Sequence, residues 1–326
     1  MVNDRDIERA AAVLRAGGLV AFPTETVYGL GADASNPQAV RKIFEAKGRP
    51  VTHPVIVHLA DAAQVANWTR DIPPAAQKLA KKFWPGPLTL ILRRAPGVSD
   101  LVTGGQETVA VRVPSHPVAR RLLSRFGGGI AAPSANRHGR VSATAAAHVR
   151  LEFGAAVDCV LDGGESQVGI ESAIVDLSGG TPALLRPGSI TAAEIEAVLG
   201  AQLAASAADA PRAPGTLAAH YAPRTPLLLA ENDLTLELAA SLIRQGKRVA
   251  VLALSARQPL LRGVEWIAAP RDAAGYAHAL YASLRRLDET GCDAILVEKP
   301  PQAPAWTAIN DRLTRAAAGS SAPDAT

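Results

Sequence analysis

Lys47 and Arg49 stand two residues apart in EAKGRPVTHP, just past a helical pattern. In extended backbone that spacing sends both side chains to one face. Two cations held there repel each other unless an anion lies between them. A phosphate meets that need, and Arg49 can bind it bidentately. A plainer reading stands beside it: a solvated basic helix C-terminus, favoured by the helix dipole. His53 and His58 follow, five apart and so on opposite faces of a regular strand, which argues against a two-histidine metal site.

A second stretch, GGGIAAPSANRHGRVSATAAAHV, ends a short apolar run in hydroxyl and amide side chains. Ser134 and Asn136 share a face in extended geometry. Ser142 and Thr144 precede a helical run, where one of them is expected as the N-cap. Hydroxyls and backbone N–H groups at a strand-to-helix turn can cradle a phosphate, or they can serve capping and turn chemistry alone. Neither a Gly-Lys-Ser/Thr loop nor a GxSxG elbow is present. Near the start, LVAFPTETVYGLGADA closes an apolar strand with a turn rich in hydroxyls, including Thr26. Arg112 sits inside the alternating strand ETVAVRVP and shares a face with Thr108 and Ala110. There it is either a sheet-edge residue or an anchor for a carboxylate. Ser172 in GIESAIVDL opens a strand, and Arg186 in LLRPGSIT closes one. Together these residues suit a ligand that carries both phosphates and a carboxylate.

The elements that position them alternate between strand and helix. Helices are expected from an Asn3 cap to Ala16, and over 37–46, 74–83, 117–126, 144–153 and 191–199, three of them opened by proline at the first position. Strands are expected at 19–22, 54–59, 88–92, 109–113, 130–132, 157–161, 172–177 and 183–186. The reading is an α/β fold with a mixed sheet over residues 1–203. Residues 204–226 are rich in Ala and Pro and read as a linker. Residues 227–318 alternate again, with strands at 227–230, 248–254, 264–268 and 294–298 and helices at 234–245, 276–290 and 306–317. This is a small parallel, Rossmann-like α/β unit without a GxGxxG dinucleotide fingerprint. Residues 319–326 read as a disordered tail.

Bulk properties bound the function. The chain has 326 residues, 20% of them charged, 48% hydrophobic and 4% aromatic, with a formal net charge of +4. The mild basic excess is compatible with anionic ligands. The low aromatic content leaves no stacking platform for single-stranded RNA. Two distant cysteines, Cys159 and Cys292, imply neither a disulfide framework nor a zinc site, and point to a reducing compartment. No signal-peptide pattern and no apolar run long enough to span a membrane is present, so a cytoplasmic location is expected.

Taken in order, PTETVYGLGADA, KGRP, HPVIVH, TVAVRVPSHP, APSAN with VSAT, GIESAIVD and LRPGSI resemble the YrdC-type domain. The APG…HYAP linker and a second domain ending NDRLTRAA resemble the longer branch of that family, the L-threonylcarbamoyladenylate synthases. The likeness covers nearly all of residues 1–318. It implies a twisted α/β fold with a large, positively charged concave cavity. It also implies synthesis of threonylcarbamoyl-AMP from L-threonine, bicarbonate or CO2 and ATP, with pyrophosphate released. Mg2+ is expected with the ATP, no resident metal is implied, and the product serves tRNA modification through a separate transferase complex, so tRNA is reached only indirectly. Thr26, His58, Arg112, Ala132 and Ser172 are implied to hold threonine, with Arg112 on its carboxylate. Lys47, Arg49, His53, Thr108, Ser134, Asn136, Ser142, Arg186 and Tyr221 are implied to hold ATP, with Lys47 and Arg49 carrying the catalysis and Tyr221 reaching back over the cavity. His53 stands where the family usually has asparagine. An RNA-binding module, or a carbamoyltransferase using the same cavity, are the alternatives.

Overall fold

The computed structural model describes residues 2–205, 210–231, 234–254 and 264–321. The chain separates into two compact units: residues 1–138 with 143–216, and residues 139–142 with 217–326.

The first unit is built on a nine-stranded sheet. Its strands are β1 (Val20–Phe22), β2 (Gly29–Asp33), β3 (Ile56–His58), β4 (Leu88–Arg93), β5 (Thr108–Arg112), β6 (Ile130–Ala131), β7 (Cys159–Val160), β8 (Ala173–Asp176) and β9 (Ala183–Arg186). Their spatial order is β7-β1-β2-β6-β3-β5-β4-β8-β9. Pairs β1–β7, β3–β5 and β4–β8 are parallel and the other five are antiparallel, so the sheet is mixed, as expected. One strand, β2, escapes sequence reading because its glycines read as turn residues. Gly31 is there for contact: a Cβ at that position would lie 2.8 Å from both the Phe22 ring and Ile130. The small residue lets the β1–β2 pair close with Phe22 opposite Gly29.

Most helices begin within a residue of where the sequence places them, while those expected to start at 144 and 276 start at Ala146 and Ala273. Asn3 caps helix Asp4–Arg15 through its side chain, with Asp6 completing a capping box. Prolines open the helices Pro37–Lys47, Pro74–Phe83 and Pro117–Phe126. Neither Ser142 nor Thr144 caps the helix Ala146–Phe153. The residue at the cap position is Ala145, and the Nδ1 of His148 accepts from the Thr144 N–H at 3.2 Å instead. The main core lies between helices and the alternate residues of β3, β4 and β5, among them Val57, Leu90 and Val111.

The stretch read as a linker is partly structural. Ala204 bridges to Ala183. Ala213 is buried in a cluster with Ile56, Ile91, Ala110 and Ile174. The Arg212 N–H donates to Gln106 Oε1 at 2.7 Å and its guanidinium to the Gly104 carbonyl at 2.7 Å. Backbone groups of 210–216 thus strap one face of the sheet, whereas from residue 217 the chain belongs to the second unit. Residues 206–209 lie outside the described residues.

The second unit carries a wholly parallel four-stranded sheet of β10 (Leu227–Ala230), β11 (Val249–Ala253), β12 (Glu265–Ala268) and β13 (Ala294–Glu298), in the order β10-β13-β11-β12. Helices Thr235–Arg244, Ala273–Glu289 and Thr307–Ser321 accompany it. The last helix continues through 319–321, where a tail without structure was expected, and 322–326 lie outside the described residues. No helix among the described residues is long and apolar enough to cross a membrane.

Candidate active site

Three groups of side chains gather at the β3, β5, β6 and β8 region of the first unit. The first is centred on Arg112, the last residue of β5. Its register partner on β3 is His58, so both side chains rise from the same face. Arg112 is 3% exposed. It donates from Nη2 to Glu25 Oε1 at 2.6 Å, from Nη1 to Thr26 Oγ1 at 2.9 Å and from Nε to the Gly86 carbonyl at 3.2 Å. The other oxygen of Glu25 accepts the Ser115 N–H at 3.0 Å. Thr26 Oγ1 also meets Thr24 Oγ1 at 2.8 Å. Burial raises the Glu25 pKa, but the adjacent Arg112 charge and its hydrogen bond more than offset this, leaving the carboxyl below its ordinary value. The turn at the end of β1 therefore holds an arginine in place with a buried carboxylate.

His58 is fully enclosed. Its Nδ1 has no hydrogen-bond partner, and its ring meets the Phe22 ring edge-on at 6.0 Å. Burial, and then the Arg112 charge, push its pKa down to about 3, so the imidazole is neutral.

The second group is cationic. Lys47 is the last residue of its helix, not part of an extended pair with Arg49. Gly48 follows in the left-handed region at φ 64°, which turns the chain at once toward Arg49. The sequence argument for a shared face thus fails in its geometry, yet the two side chains remain electrostatic neighbours. Lys47 Nζ donates to the Ser134 carbonyl at 2.6 Å and to the Asn136 carbonyl. Arg49 donates to the Pro54 carbonyl at 2.9 Å. Burial, then Arg49, drive the Lys47 pKa well below its ordinary value; Glu152 and Glu171 push back less strongly. His138, which sequence reasoning passed over, joins here. Its N–H donates to the Lys47 carbonyl at 2.9 Å, and its ring lies 5.4 Å from that of His53. Burial, Arg49 and Lys47 bring its pKa down to about 4. Burial and Arg49 also lower that of His53.

The third group joins Ser172 to Arg186. Arg186 donates to the Ser172 carbonyl from Nε at 3.1 Å and Nη2 at 3.0 Å, to Ser172 Oγ at 3.2 Å and to the Pro214 carbonyl at 2.7 Å. Ser172 Oγ also meets Thr89 Oγ1 at 2.8 Å.

Strand β6 links the first two groups. It pairs with β3 beside His58. Past its end Ala132 donates to the Ile56 carbonyl at 2.9 Å, and the Pro133 carbonyl accepts from Leu30. The chain then reaches Ser134 and Asn136, where Lys47 is held. Thr108 lies at the far end of β5, opposite Arg93 and half-buried. Ser142 and Tyr221 belong to the second unit. There the Ser142 carbonyl accepts from Arg285 Nε at 3.2 Å. Tyr221 is 1% exposed, its ring stacked on Tyr281 at 5.9 Å with the Arg312 guanidinium 5.1 Å from its centroid. It is the one non-glycine residue with positive φ among the described residues, at 63°.

Residues 12–188 match the Sua5/YciO/YrdC family model, described as telomere recombination, and residues 190–318 match the threonylcarbamoyl-AMP synthase C-terminal domain. The chain is 40% identical to the threonylcarbamoyl-AMP synthase of Pyrococcus abyssi, over 97% of this chain and 95% of that protein. It is 42% identical to that of Bacillus subtilis, over 97% and 94%. A crystal structure of P. abyssi Sua5 complexed with L-threonine matches with a TM-score of 0.91 at 39% identity, covering 98% of this chain and 96% of that one.

Proposed function

This chain belongs to the Sua5/YciO/YrdC family, and on that premise we propose that it makes threonylcarbamoyl-AMP from L-threonine, bicarbonate or CO2 and ATP, releasing pyrophosphate, for the threonylcarbamoyl modification of tRNA. The observation that carries the reading is the pairing of two unlike clusters on one sheet: a buried Arg112–Thr26–Glu25 group and a cationic Lys47–Arg49 group, joined through β6.

In this reading the spare N–H groups of Arg112 and the Thr26 hydroxyl take the threonine carboxylate, with neutral His58, Ala132 and Ser172 around the rest of the molecule. The threonine amine adds to CO2 and loses a proton to become a carbamate. A carbamate oxygen then forms a bond to the α-phosphorus of ATP as the bond to the bridging oxygen breaks, and that oxygen leaves with pyrophosphate. No protein nucleophile is required. The chain supplies position and electrostatic stabilisation. Lys47 and Arg49 would face the phosphates, with Ser134, Asn136, His53, Thr108 and Arg186 in the nucleotide set. Among the described residues no group of three or more His, Cys, Asp or Glu could hold a metal ion. Mg2+ would arrive with the ATP phosphates and would neutralise part of the pyrophosphate charge. The product passes to a separate transferase complex that acts on tRNA.

The test is pyrophosphate release from ATP by the purified chain, with L-threonine and bicarbonate omitted in turn. Release that depends on both supports the proposal. Release indifferent to threonine overturns the substrate, and no release overturns the activity.

A further inference from the structure

On the opposite face of β4 and β5 from Arg112 lies a cavity of about 490 Å³ that the proposed reaction does not use. Its origin is a choice of small side chains. Helix Pro74–Phe83 turns Ala76 and Ala80 toward the sheet, four residues apart and so on one face, while Leu79 fills the core beside them. Two alanines where larger residues would pack leave the helix standing off Leu90, Leu92 and Val113. Val65 and the Trp84 ring close the walls. The Trp84 N–H donates to the Leu88 carbonyl at 2.7 Å, so the indole offers the cavity only its apolar faces. The volume falls in the range of small-molecule sites, and apolar walls with a few placed polar groups are their usual make-up.

Four polar side chains stand at the rim, and they are not equivalent. Asp61 is committed: its carboxylate accepts the Ala63 and Gln64 N–H groups and caps the short helix over 62–67. The Gln77 amide donates to the Ile72 carbonyl at 3.1 Å. Lys81 and Arg120 line the same rim, and among the described residues their side chains take part in no ion pair or hydrogen bond. With one carboxylate, Asp61, against Lys81 and Arg120, the rim of the cavity carries a net positive charge.

We infer that this cavity is a binding site for a small amphiphilic anion: an apolar body that seats against Trp84, Leu90, Leu92 and Val113, and one carboxylate or similar group that meets Lys81 and Arg120. A neutral apolar compound would leave those cations unmatched, and a hydrophilic anion would leave the walls wet.

The probes are 8-anilinonaphthalene-1-sulfonate, followed by its fluorescence, with octanoate and 1-octanol as competitors of equal chain length and different charge. Three proteins are compared: the unmodified chain, Lys81→Glu with Arg120→Glu, and Ala80→Trp, which fills the cavity. The dye should bind the unmodified chain at one site, and octanoate should displace it where octanol does not. The double charge reversal should weaken dye binding at least tenfold, about 1.4 kcal/mol, without changing the thermal midpoint or pyrophosphate release. Ala80→Trp should abolish it. Equal displacement by octanol, or unchanged dye affinity after charge reversal, overturns the anion. Undiminished binding to a folded Ala80→Trp protein overturns the site. Should that variant not fold, the charge reversal at exposed Lys81 and half-buried Arg120 alone decides.

Discussion

The two clusters linked through β6 handle charge in opposite ways. Around Arg112 the positive charge is answered inside the protein by Glu25, and hydrogen bonds fix it on three sides. Around Lys47 the neighbours that matter most make the problem worse: burial and Arg49 both disfavour its proton, and burial and then the same Arg49 charge lower the pKa of His138 and His53. A balanced site suits a small zwitterion, which adds one charge of each sign. A frustrated site waits for a polyanion. Binding ATP would there release repulsion stored in the empty protein, whereas binding threonine would only rearrange a pair that is already satisfied.

Breaking the balanced side should have the largest effect. Arg112→Ala leaves Glu25 buried without its cation, and should cost about 3–5 kcal/mol of stability in urea unfolding, besides raising the KM for threonine. An unchanged KM would separate Arg112 from the substrate.

Acid should expose the same cluster. The folded His58 pKa is lowered to about 3 from an unfolded value of 6.5. Its contribution is therefore complete above pH 6.5 and is lost as pH falls toward 3, on the order of 5 kcal/mol. Glu25, also lowered, loses its contribution in the same direction. Thermal midpoints measured across that window should fall more steeply for the unmodified chain than for His58→Asn.

On the frustrated side, Lys47→Ala should lower threonine-dependent pyrophosphate release on the order of 100-fold. The unliganded fold, relieved of a buried cation, should be no less stable. A loss of stability as large as that of Arg112→Ala would erase the distinction between the clusters. A finer test is the proton count. The Lys47 pKa lies well below 10.5 in the empty protein, and nearby phosphates would raise it again. ATP binding should then take up a fraction of a proton at pH values above the lowered pKa, seen by calorimetry in buffers of different ionisation enthalpy. The smallest effect is a control remote from both clusters: Thr191→Ala removes a capping-box hydroxyl and should cost about 1 kcal/mol without changing either KM.

Much of this was legible in the chain itself, for local reasons. Proline and asparagine starts and glycine stops place most helices within a residue or two, and short apolar runs place twelve of the thirteen strands among the described residues. The exceptions depended on partners far along the chain. Gly29–Asp33 is a strand because Phe22 lies across Gly31. Glu25 matters because Arg112, 87 residues on, lands beside it. His138 lacks any local pattern and acquires its place by hydrogen-bonding the carbonyl of Lys47. The segment 210–216 reads as linker because it engages the first unit through backbone groups, one alanine and the Arg212 guanidinium, which composition does not distinguish from an idle coil.

The outer pairing of β1 with β7 bears on how the chain is made. The Leu19 N–H is held by Asp158, 139 residues later, and Val20 pairs with Cys159. At a translation rate of about 5–20 residues per second, β1 leaves synthesis roughly 7–28 s before the strand that covers its edge. A hairpin of β1 and β2 can form at once, but one row of its backbone groups stays open for that interval, a template for the wrong strand. Sequence-distant pairing of this kind also slows folding itself. The order in which the sheet can close, from β1 and β2 to one edge at β7 and then the other at β9, is written into the spacing of the strands along the chain.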